Sequence, residues 1–382
     1  MIDLAAIELR EIALPLKEPF RISSGATHHR RILLARVVDR DGAAGWGECV
    51  AGEAPYYSAE TVDTAWLAIT HWIAPHVLAD RYDDPPHVHA VLEAGLRGHR
   101  MAKATVEMAT WDLAATRAGV SLSAALGGSR AAVPTGISLG LQDSPPILAA
   151  RAAEAVAEGY RRVKIKIARG RDRGDLAAVR DAVGPDVPLS ADANAAYAPA
   201  DTEHLRSLDE FGLRMLEQPF EPDDLLRHAM LQRTLRTPIC LDESITSPAR
   251  AADMIALRSG QAINIKPGRV GGLTPALAIH HLAAEHGIAV WCGGMLESGI
   301  GRAHNVALAS LPHFDFPGDL SPSARYWARD IVHPEWTMHD GMLTVPRDRA
   351  GIGVEVDLEF LSSRTVRLET IRARSGTGGG GA

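Results

Sequence analysis

The sequence contains five short β-rich runs, RVKIKI (162–167), VPLSA (187–191), LRMLE (213–217), PICLD (238–242) and AINIK (262–266), and a charged residue lies at or next to the end of each: Lys166, Asp192, Glu217, Asp242 and Lys266. An Ala/Leu-rich amphipathic stretch follows each run, which is typical of repeated βα units. The terminal charges recur every 24 to 26 residues, once per unit. Because eight such units close into a barrel with all C-terminal strand ends at one mouth, we expect these charges to converge there.

Further strands are predicted on both sides of this region. Pro134–Leu139 precedes the five runs, Ile288–Cys292 follows them, and a weaker eighth run covers Phe316–Leu320. The pattern predicts an α/β protein with a barrel whose active site lies at the C-terminal strand ends.

The N-terminal part of the chain has a different pattern. Ile7–Leu14 and Ile32–Val38 are predicted strands on either side of a loop over Pro19–Thr27. Met101–Arg117 has apolar residues at helical spacing and is predicted to end at Gly119 as its C-cap. We expect an α+β capping domain over 1–126, the barrel over 127–329, a segment over 330–372 that returns to the capping domain, and a disordered tail over 373–382.

The composition favours a protein that acts on small molecules. Among 382 residues the formal net charge is −7, and no Lys/Arg block provides the basic surface that nucleic-acid binding needs. No run of about 18 apolar residues predicts a membrane span, and no signal peptide is apparent at the N-terminus. Cys49, Cys240 and Cys292 are far apart, as is typical of reduced thiols. We therefore expect a cytoplasmic protein.

Three carboxylates, Asp192, Glu217 and Asp242, are predicted to meet at the barrel mouth. Like charges repel one another unless a cation joins them, and an all-oxygen ligand set suits the octahedral coordination of Mg²⁺. The competing interpretation is that each acid is only an exposed cap at a strand end. Three acids in register, flanked by lysines, favour the magnesium site, in which Mn²⁺ or Co²⁺ can substitute.

The lysines at the same strand ends are candidate general bases. Lys164 and Lys166 are two residues apart on a strand and point to the same side, so each positive charge is expected to lower the pKa of the other. Lys266 approaches from the opposite side of the barrel, so two ammonium groups flank one carbon. A divalent ion would stabilise the negative charge that develops when a proton next to a carboxylate is removed.

The chain resembles the muconate-lactonising branch of the enolase superfamily, and within it the N-acylamino acid racemase/o-succinylbenzoate synthase family. The resemblance extends nearly from end to end. It is carried by PFR (19–21), GWGEC (45–49), GHRMAK (98–103), KIK (164–166), DAN (192–194), EQP (217–219), LDES (241–244), NIKPGR (264–269), WCGGM (291–295) and PGD (317–319). It implies a modified TIM (β/α)7β barrel with an N-terminal α+β capping domain, and we expect a homo-oligomer.

The resemblance also implies roles for individual residues. Asp192, Glu217 and Asp242 correspond to the metal ligands, Lys166 to the base on one face, and Lys266 to the acid or base on the other. Lys164 would tune Lys166, and Asn194 and Glu243 would orient the ligands and lysines. The implied substrate contacts are Ser138, Gly294, Met295, Leu296 and Arg269, together with Phe20 and Tyr57 from a lid in the first domain.

Two sequence features bear on the choice of substrate. Gly52 stands where relatives carry a bulky methionine in the lid, so a roomier pocket is expected. Asp319-Leu320-Ser321 lacks the Asp-x-Asp that holds a substrate ammonium group in dipeptide epimerases, which favours an N-acylated substrate.

The leading hypothesis is N-acylamino acid racemisation by Lys166 and Lys266, and Arg269 resembles the racemising relatives. One alternative is o-succinylbenzoate synthesis by loss of water, which needs only Lys166 as base. The other is a non-catalytic barrel that binds a carboxylate.

Overall fold

The computed structural model describes residues 1–22 and 25–374. Its strands are β1 (Leu4–Ile22), β2 (Gly25–Asp39), β3 (Ala44–Cys49), β4 (Ala132–Pro134), β5 (Ile137–Leu139), β6 (Val163–Lys166), β7 (Leu189–Asp192), β8 (Leu216–Glu217), β9 (Ile239–Leu241), β10 (Ala262–Ile265), β11 (Ala289–Cys292), β12 (Val332–His333), β13 (Met338–His339), β14 (Met342–Thr344), β15 (Glu355–Val356) and β16 (Thr365–Arg372).

The α-helices lie between and after these strands. They are α1 (Val62–Ala68), α2 (Ala74–Val77), α3 (Pro85–Gly95), α4 (Arg100–Ala118), α5 (Leu122–Ala125), α6 (Pro145–Ala157), α7 (Asp172–Val183), α8 (Thr202–Ser207), α9 (Leu225–Gln232), α10 (Pro248–Leu257), α11 (Pro267–Val270), α12 (Leu273–Glu285), α13 (Gly299–Ala309) and α14 (Leu358–Ser363). A π-helical turn over Ile69–Ile73 joins α1 to α2. No helix in the described residues is long and apolar enough to cross a membrane.

The first domain is built on an antiparallel sheet with the strand order β16-β1-β2-β3. Helix α4 packs directly on β3 because the two glycines of GWGEC leave no side chain between them. A Cβ on Gly47 would lie 2.0 Å from the carbonyl oxygen of Thr105, and one on Gly45 would lie 2.3 Å from that of Ala109. The backbones of strand and helix are therefore in contact.

Helix α4 confirms the prediction made for Met101–Arg117. The C-cap Gly119 has φ of 68°, a left-handed conformation that glycine adopts without steric cost. The predicted loop over Pro19–Thr27 is shorter in the structure, because β1 and β2 continue as a hairpin through the pairs Phe20↔Thr27 and Arg21↔Ala26.

The second domain is an α/β barrel with seven parallel strands in sequential order from β5 to β11. Hydrophobic residues from strands and surrounding helices form one large buried cluster. The barrel strands have two to four residues, and each of the first seven predicted runs contains one of them. This arrangement is a modified TIM barrel with an N-terminal capping domain.

The predicted eighth strand, Phe316–Leu320, does not form. Instead, this segment closes the barrel through single contacts: Asp319 N donates to Cys292 O at 3.0 Å, and Gly136 N donates to Gly318 O at 2.7 Å. Pro317 lacks an N–H for a ladder, which accounts for the missing strand. The prediction of a strand was wrong, although the segment occupies the expected place.

The end of the chain returns to the first sheet, where β16 pairs with β1 in the register Ile7↔Ile371. The boundaries at residues 126 and 329 remain our proposal for the division of the chain. Of the predicted tail, residues 375–382 lie outside the described residues.

Two buried glutamates of the first domain join it to helices of the barrel. Glu48 accepts hydrogen bonds from Ser298 N (3.0 Å) and Gly301 N (2.9 Å) at the N-terminus of α13. Glu107 accepts from Leu273 N (2.7 Å) at the start of α12. Burial raises the pKa of both carboxyls to about 7, although these hydrogen bonds oppose the shift. The two domains therefore meet where carboxyl groups of the first domain cap helices of the barrel.

Candidate active site

The register of the barrel strands brings the charged strand ends together. Lys166 pairs with Asp192, and Asp192 pairs with Glu217, so three adjacent strands end on charged residues side by side. Asp242 and Lys266 directly follow β9 and β10. All five side chains are buried. The period in the sequence thus corresponds to one row of charges around the barrel mouth.

The three acids are in ion pairs with the lysines. Lys166 Nζ lies 2.6 Å from Asp192 Oδ2, and Lys266 Nζ lies 2.7 Å from Asp242 Oδ2. Lys164 Nζ lies 2.9 Å from Glu217 Oε2 and 3.2 Å from Asp192 Oδ2. Carboxylates and ammonium groups neutralise one another in this arrangement.

The lysine pKa values follow from these pairs. Burial lowers the pKa of Lys164, but the carboxylates of Asp319, Glu217 and Asp192 outweigh burial and raise that pKa well above its usual range. Burial also opposes protonation of Lys266, yet Asp242 raises its pKa above the usual range. The expectation that neighbouring lysines depress the pKa of Lys164 is wrong for this arrangement, since carboxylates surround it.

One of the three acids, Glu217, is under electrostatic strain, whereas neighbouring cations lower the pKa of Asp192 and Asp242. Burial raises the pKa of Glu217 to about 7, and the negative charges of Asp192 and Asp242 add to the rise against the effect of Lys164. A bound cation would reduce the free-energy cost of ionising Glu217, because its positive charge would offset the repulsion between Glu217 and the carboxylates of Asp192 and Asp242.

The donor set fits a hard divalent cation. The three acids offer carboxylate oxygens, and the buried Asn194 Oδ1, Asn264 Oδ1 and Glu243 Oε2 nearby have no hydrogen-bond partner. Within the described ranges, however, no three His, Cys, Asp or Glu side chains are arranged around a common point as in a preformed metal site. The lysine ammonium groups stand against the carboxylate oxygens, so an ion would have to displace them.

Asn194 and Glu243 lie next to the acids, as the sequence predicts. Asn194 Nδ2 donates to Glu243 Oε1 at 3.0 Å, and Asn194 N donates to Asp192 Oδ1 at 3.1 Å. Burial raises the pKa of Glu243 to about 8, and the charges of Asp242 and Asp192 contribute. The pair is placed to orient Asp192, and this role remains a proposal.

A cavity of about 350 Å³ lies above the charged row, between the two domains. Lys164, Lys166 and Lys266 line it, and so does Asn194. The predicted substrate contacts that also line it are Phe20, Tyr57, Ser138, Gly294, Met295 and Leu296. Ser138 Oγ is buried without a hydrogen-bond partner. The cavity is therefore the candidate substrate site.

Arg269 does not line this cavity, in contrast to its expected role as a substrate contact. Its guanidinium lies behind Asp242, to which Nη1 is hydrogen-bonded, and Nε donates to Ile245 O at 2.7 Å. Tyr57 OH donates to the same oxygen, Asp242 Oδ1, at 2.9 Å and accepts from Arg269 Nη1 at 3.3 Å. Asp242 is thus held from both domains, and the geometry assigns Arg269 to positioning that carboxylate.

Asp319 is part of the site although the sequence analysis gave it no role there. It pairs with Lys164 Nζ at 2.8 Å and with Arg162 Nη2 at 2.6 Å, and it lines the cavity. Its place near the end of the eighth run was the available signal, because the five charged strand-end residues also lie at or next to the end of a run. Arg30, which lines the cavity from the first domain, had no comparable signal.

Comparison with known proteins agrees with this geometry. Residues 5–127 match the family described as mandelate racemase/muconate lactonizing enzyme, N-terminal domain, and residues 148–360 match the enolase C-terminal domain-like family. The chain is 49% identical over 356 residues to a protein of Geobacillus stearothermophilus named o-succinylbenzoate synthase, covering 93% of this chain and 94% of that protein. It is 46% identical over 362 residues to one of Amycolatopsis named N-succinylamino acid racemase, covering 95% and 97%.

A solved structure is similar over almost the whole chain. It is the crystal structure of an enolase-superfamily member from Listeria innocua, which superposes with a TM-score of 0.94 at 39% identity and covers 98% of this chain and 100% of that one.

Proposed function

The chain belongs to the mandelate racemase/muconate lactonizing enzyme family of the enolase superfamily, and from this membership we propose that it racemises N-acylamino acids, N-succinylamino acids in particular. The reaction would be magnesium-dependent abstraction of the proton next to a carboxylate. That the protein is cytoplasmic and homo-oligomeric remains a prediction from the sequence.

One observation carries the proposal: Lys166 and Lys266 line the same cavity from separate parts of the barrel. Lys166 ends β6, and Lys266 follows β10, with three strands between them in the sheet. Those three strands provide Asp192, Glu217 and Asp242. A carbon held above the acids therefore has an amino group on each side, which is what inversion at that carbon requires.

Each lysine has a defined task in this proposal. One Nζ takes the α-proton from one face, and the ammonium group of the other lysine returns a proton to the opposite face. Asp192, Glu217 and Asp242 would hold Mg²⁺, which stabilises the negative charge that develops on the substrate carboxylate. Asn194 and Glu243 would keep Asp192 in place, and Arg269 would keep Asp242 in place.

The first domain would exclude water from this chemistry. Phe20 and Tyr57 line the cavity, and the hairpin that carries Phe20 rests on the barrel, where Leu141 N donates to Arg21 O at 3.0 Å. A low-dielectric site strengthens the electrostatic interactions on which proton abstraction depends.

A second candidate is o-succinylbenzoate synthesis, and the relative at 49% identity that bears this name supports it. Loss of water needs one base, which would be Lys166, while the ammonium group of Lys266 would stabilise negative charge. The same residues serve either reaction, so substrates must distinguish them.

Solvent exchange tests the proposal directly. The protein is incubated in D₂O with Mg²⁺ and either enantiomer of an N-succinylamino acid, and the α-proton is followed by NMR together with optical rotation. We expect deuterium at the α-carbon, loss of optical activity, and neither change when a chelator replaces Mg²⁺. Absence of exchange with Mg²⁺ present would refute racemisation. Dehydration of the cyclohexadiene precursor in the same preparation would then support the second candidate.

A further inference from the structure

Arg30, on β2 of the first domain, is a buried arginine with unused hydrogen-bond donors. Its exposed fraction is 4%. Nη1 donates to Ala51 O at 3.3 Å, whereas Nε and Nη2 are buried and have no partner. Burying these two N–H groups of the guanidinium without acceptors carries a large desolvation cost, so this arrangement indicates that a ligand provides the missing acceptors.

Arg30 lines the same cavity as Lys166 and Lys266. Two acids from the first domain also line the cavity, and neither forms an ion pair with Arg30 in the described part of the chain. Glu60 accepts hydrogen bonds from Met101 N at 2.9 Å and Ala102 N at 3.1 Å, and Glu53 is exposed. Nε and Nη2 of Arg30 therefore lack an acceptor in the described part of the chain, on a residue that lines the cavity.

The geometry of a guanidinium specifies the kind of group that fits. Nε and Nη2 lie on one edge and present two parallel N–H bonds, the arrangement that binds both oxygens of a carboxylate. The remaining nitrogen, Nη1, is fixed by Ala51 O, so that edge is held in one orientation.

We propose that Arg30 binds a second substrate carboxylate, located at the end of the acyl group, and thereby selects N-acylamino acids whose acyl group is a dicarboxylic acid. This inference rests on the proposed function, in which the first carboxylate lies at Asp192, Glu217 and Asp242. It assigns the succinyl preference to one residue of the first domain, at a position distinct from the proton-transfer lysines.

The test compares two substrates that differ only in that group. N-succinyl and N-succinamoyl derivatives of one amino acid have the same size, but the second ends in a neutral amide. The kcat/KM of each is measured by α-proton exchange with the Mg²⁺-loaded protein. We expect the wild type to prefer the succinyl substrate, and Arg30→Met to reduce the ratio of the two kcat/KM values by roughly 10- to 100-fold, as for hydrogen bonds to a charged group. The loss should appear mainly in KM.

The matched control is Arg36→Met, on the same strand, where the guanidinium packs over Trp46 and does not line the cavity. For Arg36→Met, the ratio of the kcat/KM values on the two substrates should equal that of the wild type. If Arg30→Met lowers kcat/KM by the same factor on both substrates, the role of Arg30 is structural and the inference is overturned. If Arg30→Met does not fold, the wild-type ratio decides, since turnover of both substrates at equal rates also overturns it. A wild type that turns over neither overturns the proposed function and this inference with it.

Discussion

At the residue scale, Lys266 is the side chain that separates a two-base reaction from a one-base reaction. It lines the cavity and pairs with Asp242, so its removal leaves Lys166 with its own partner, Asp192, in place. Racemisation needs proton transfer on both faces, whereas exchange on one face needs only one amino group.

We therefore predict that Lys266→Ala lowers racemisation at least about 100-fold while Lys166 still exchanges the α-proton of one enantiomer. The measurement is NMR in D₂O with each enantiomer separately. Lys17→Ala is the control, because Lys17 is exposed and its Nζ donates to the backbone oxygen Ala324 O at 2.8 Å. Similar exchange of both enantiomers by Lys266→Ala would contradict the two-base assignment.

The sequence predicted the location of a site residue where its spacing along the chain determined its place at the barrel mouth. Lys166, Asp192, Glu217, Asp242 and Lys266 follow from a constant period, because each βα unit adds one strand to the barrel. The pKa of Lys164 was not predictable from its neighbour Lys166, since three carboxylates from elsewhere in the chain determine it. Arg30 was missed because nothing in its local sequence shows that its donors lack partners.

At the element scale, the close contact between β3 and α4 depends on glycine. A methyl group at position 47 would lie 2.0 Å from Thr105 O and 2.9 Å from Ala109 N, both backbone atoms that cannot move separately from the helix. Helix α4 also carries Glu107, which caps α12. A shift of α4 would therefore disturb the domain contact too.

We predict that Gly47→Ala destabilises the protein by about 1–3 kcal/mol or more, as overpacking does. Urea unfolding followed by circular dichroism measures the change. Gly174→Ala in α7 is the control, because its Cβ would meet only Pro145 Cγ at 3.9 Å, and we expect little change or a slight gain. An unchanged midpoint for Gly47→Ala would show that α4 moves away from β3 without cost.

The helices and strands were predictable to different extents. Apolar spacing and Gly119 defined α4 well, because both are local signals. The lengths of the barrel strands were overestimated, and the segment at Phe316–Leu320 forms no strand because Pro317 removes a donor. The β1–β2 hairpin extends beyond the predicted strands, since cross-strand pairs and contact with the barrel stabilise it.

At the scale of the whole molecule, Glu48 makes the contact between the domains sensitive to pH. Its pKa rises from about 4.3 in an unfolded chain to about 7 in the folded protein, chiefly through burial. Between these values the folded state binds more protons at this group than the unfolded state. The contribution of Glu48 to the free energy of unfolding is therefore most favourable below about pH 4.3 and is lost as the pH rises to 7.

We predict that the free energy of unfolding of Glu48→Gln increases relative to that of the wild type between pH 5 and pH 8, by up to about 3 kcal/mol. Urea titrations of both proteins at each pH give this difference, and any constant effect of the substitution cancels. Glu158→Gln, at an exposed position, should give a flat difference. If the difference in the free energy of unfolding between Glu48→Gln and the wild type stays constant from pH 5 to pH 8, the Glu48 carboxyl does not titrate in that range.

The two-domain α/β architecture was predictable from composition shifts and periodicity, but the contacts between the domains were not. Glu48 and Ser298 are 250 residues apart, and neither belongs to a recognisable pattern with the other. Such a contact depends on how the two folded domains pack against each other, so it could not be predicted from the sequence pattern of either segment.

The pairing of β16 with β1 has a consequence for the order in which the protein is made. The outer edge of β1 has no partner until residues 365–372 have emerged from the ribosome, after the entire barrel. An open strand edge is a template for wrong pairing with other chains. Newly made chains thus carry this open edge until translation is nearly complete, and truncation before residue 365 should leave the edge exposed permanently.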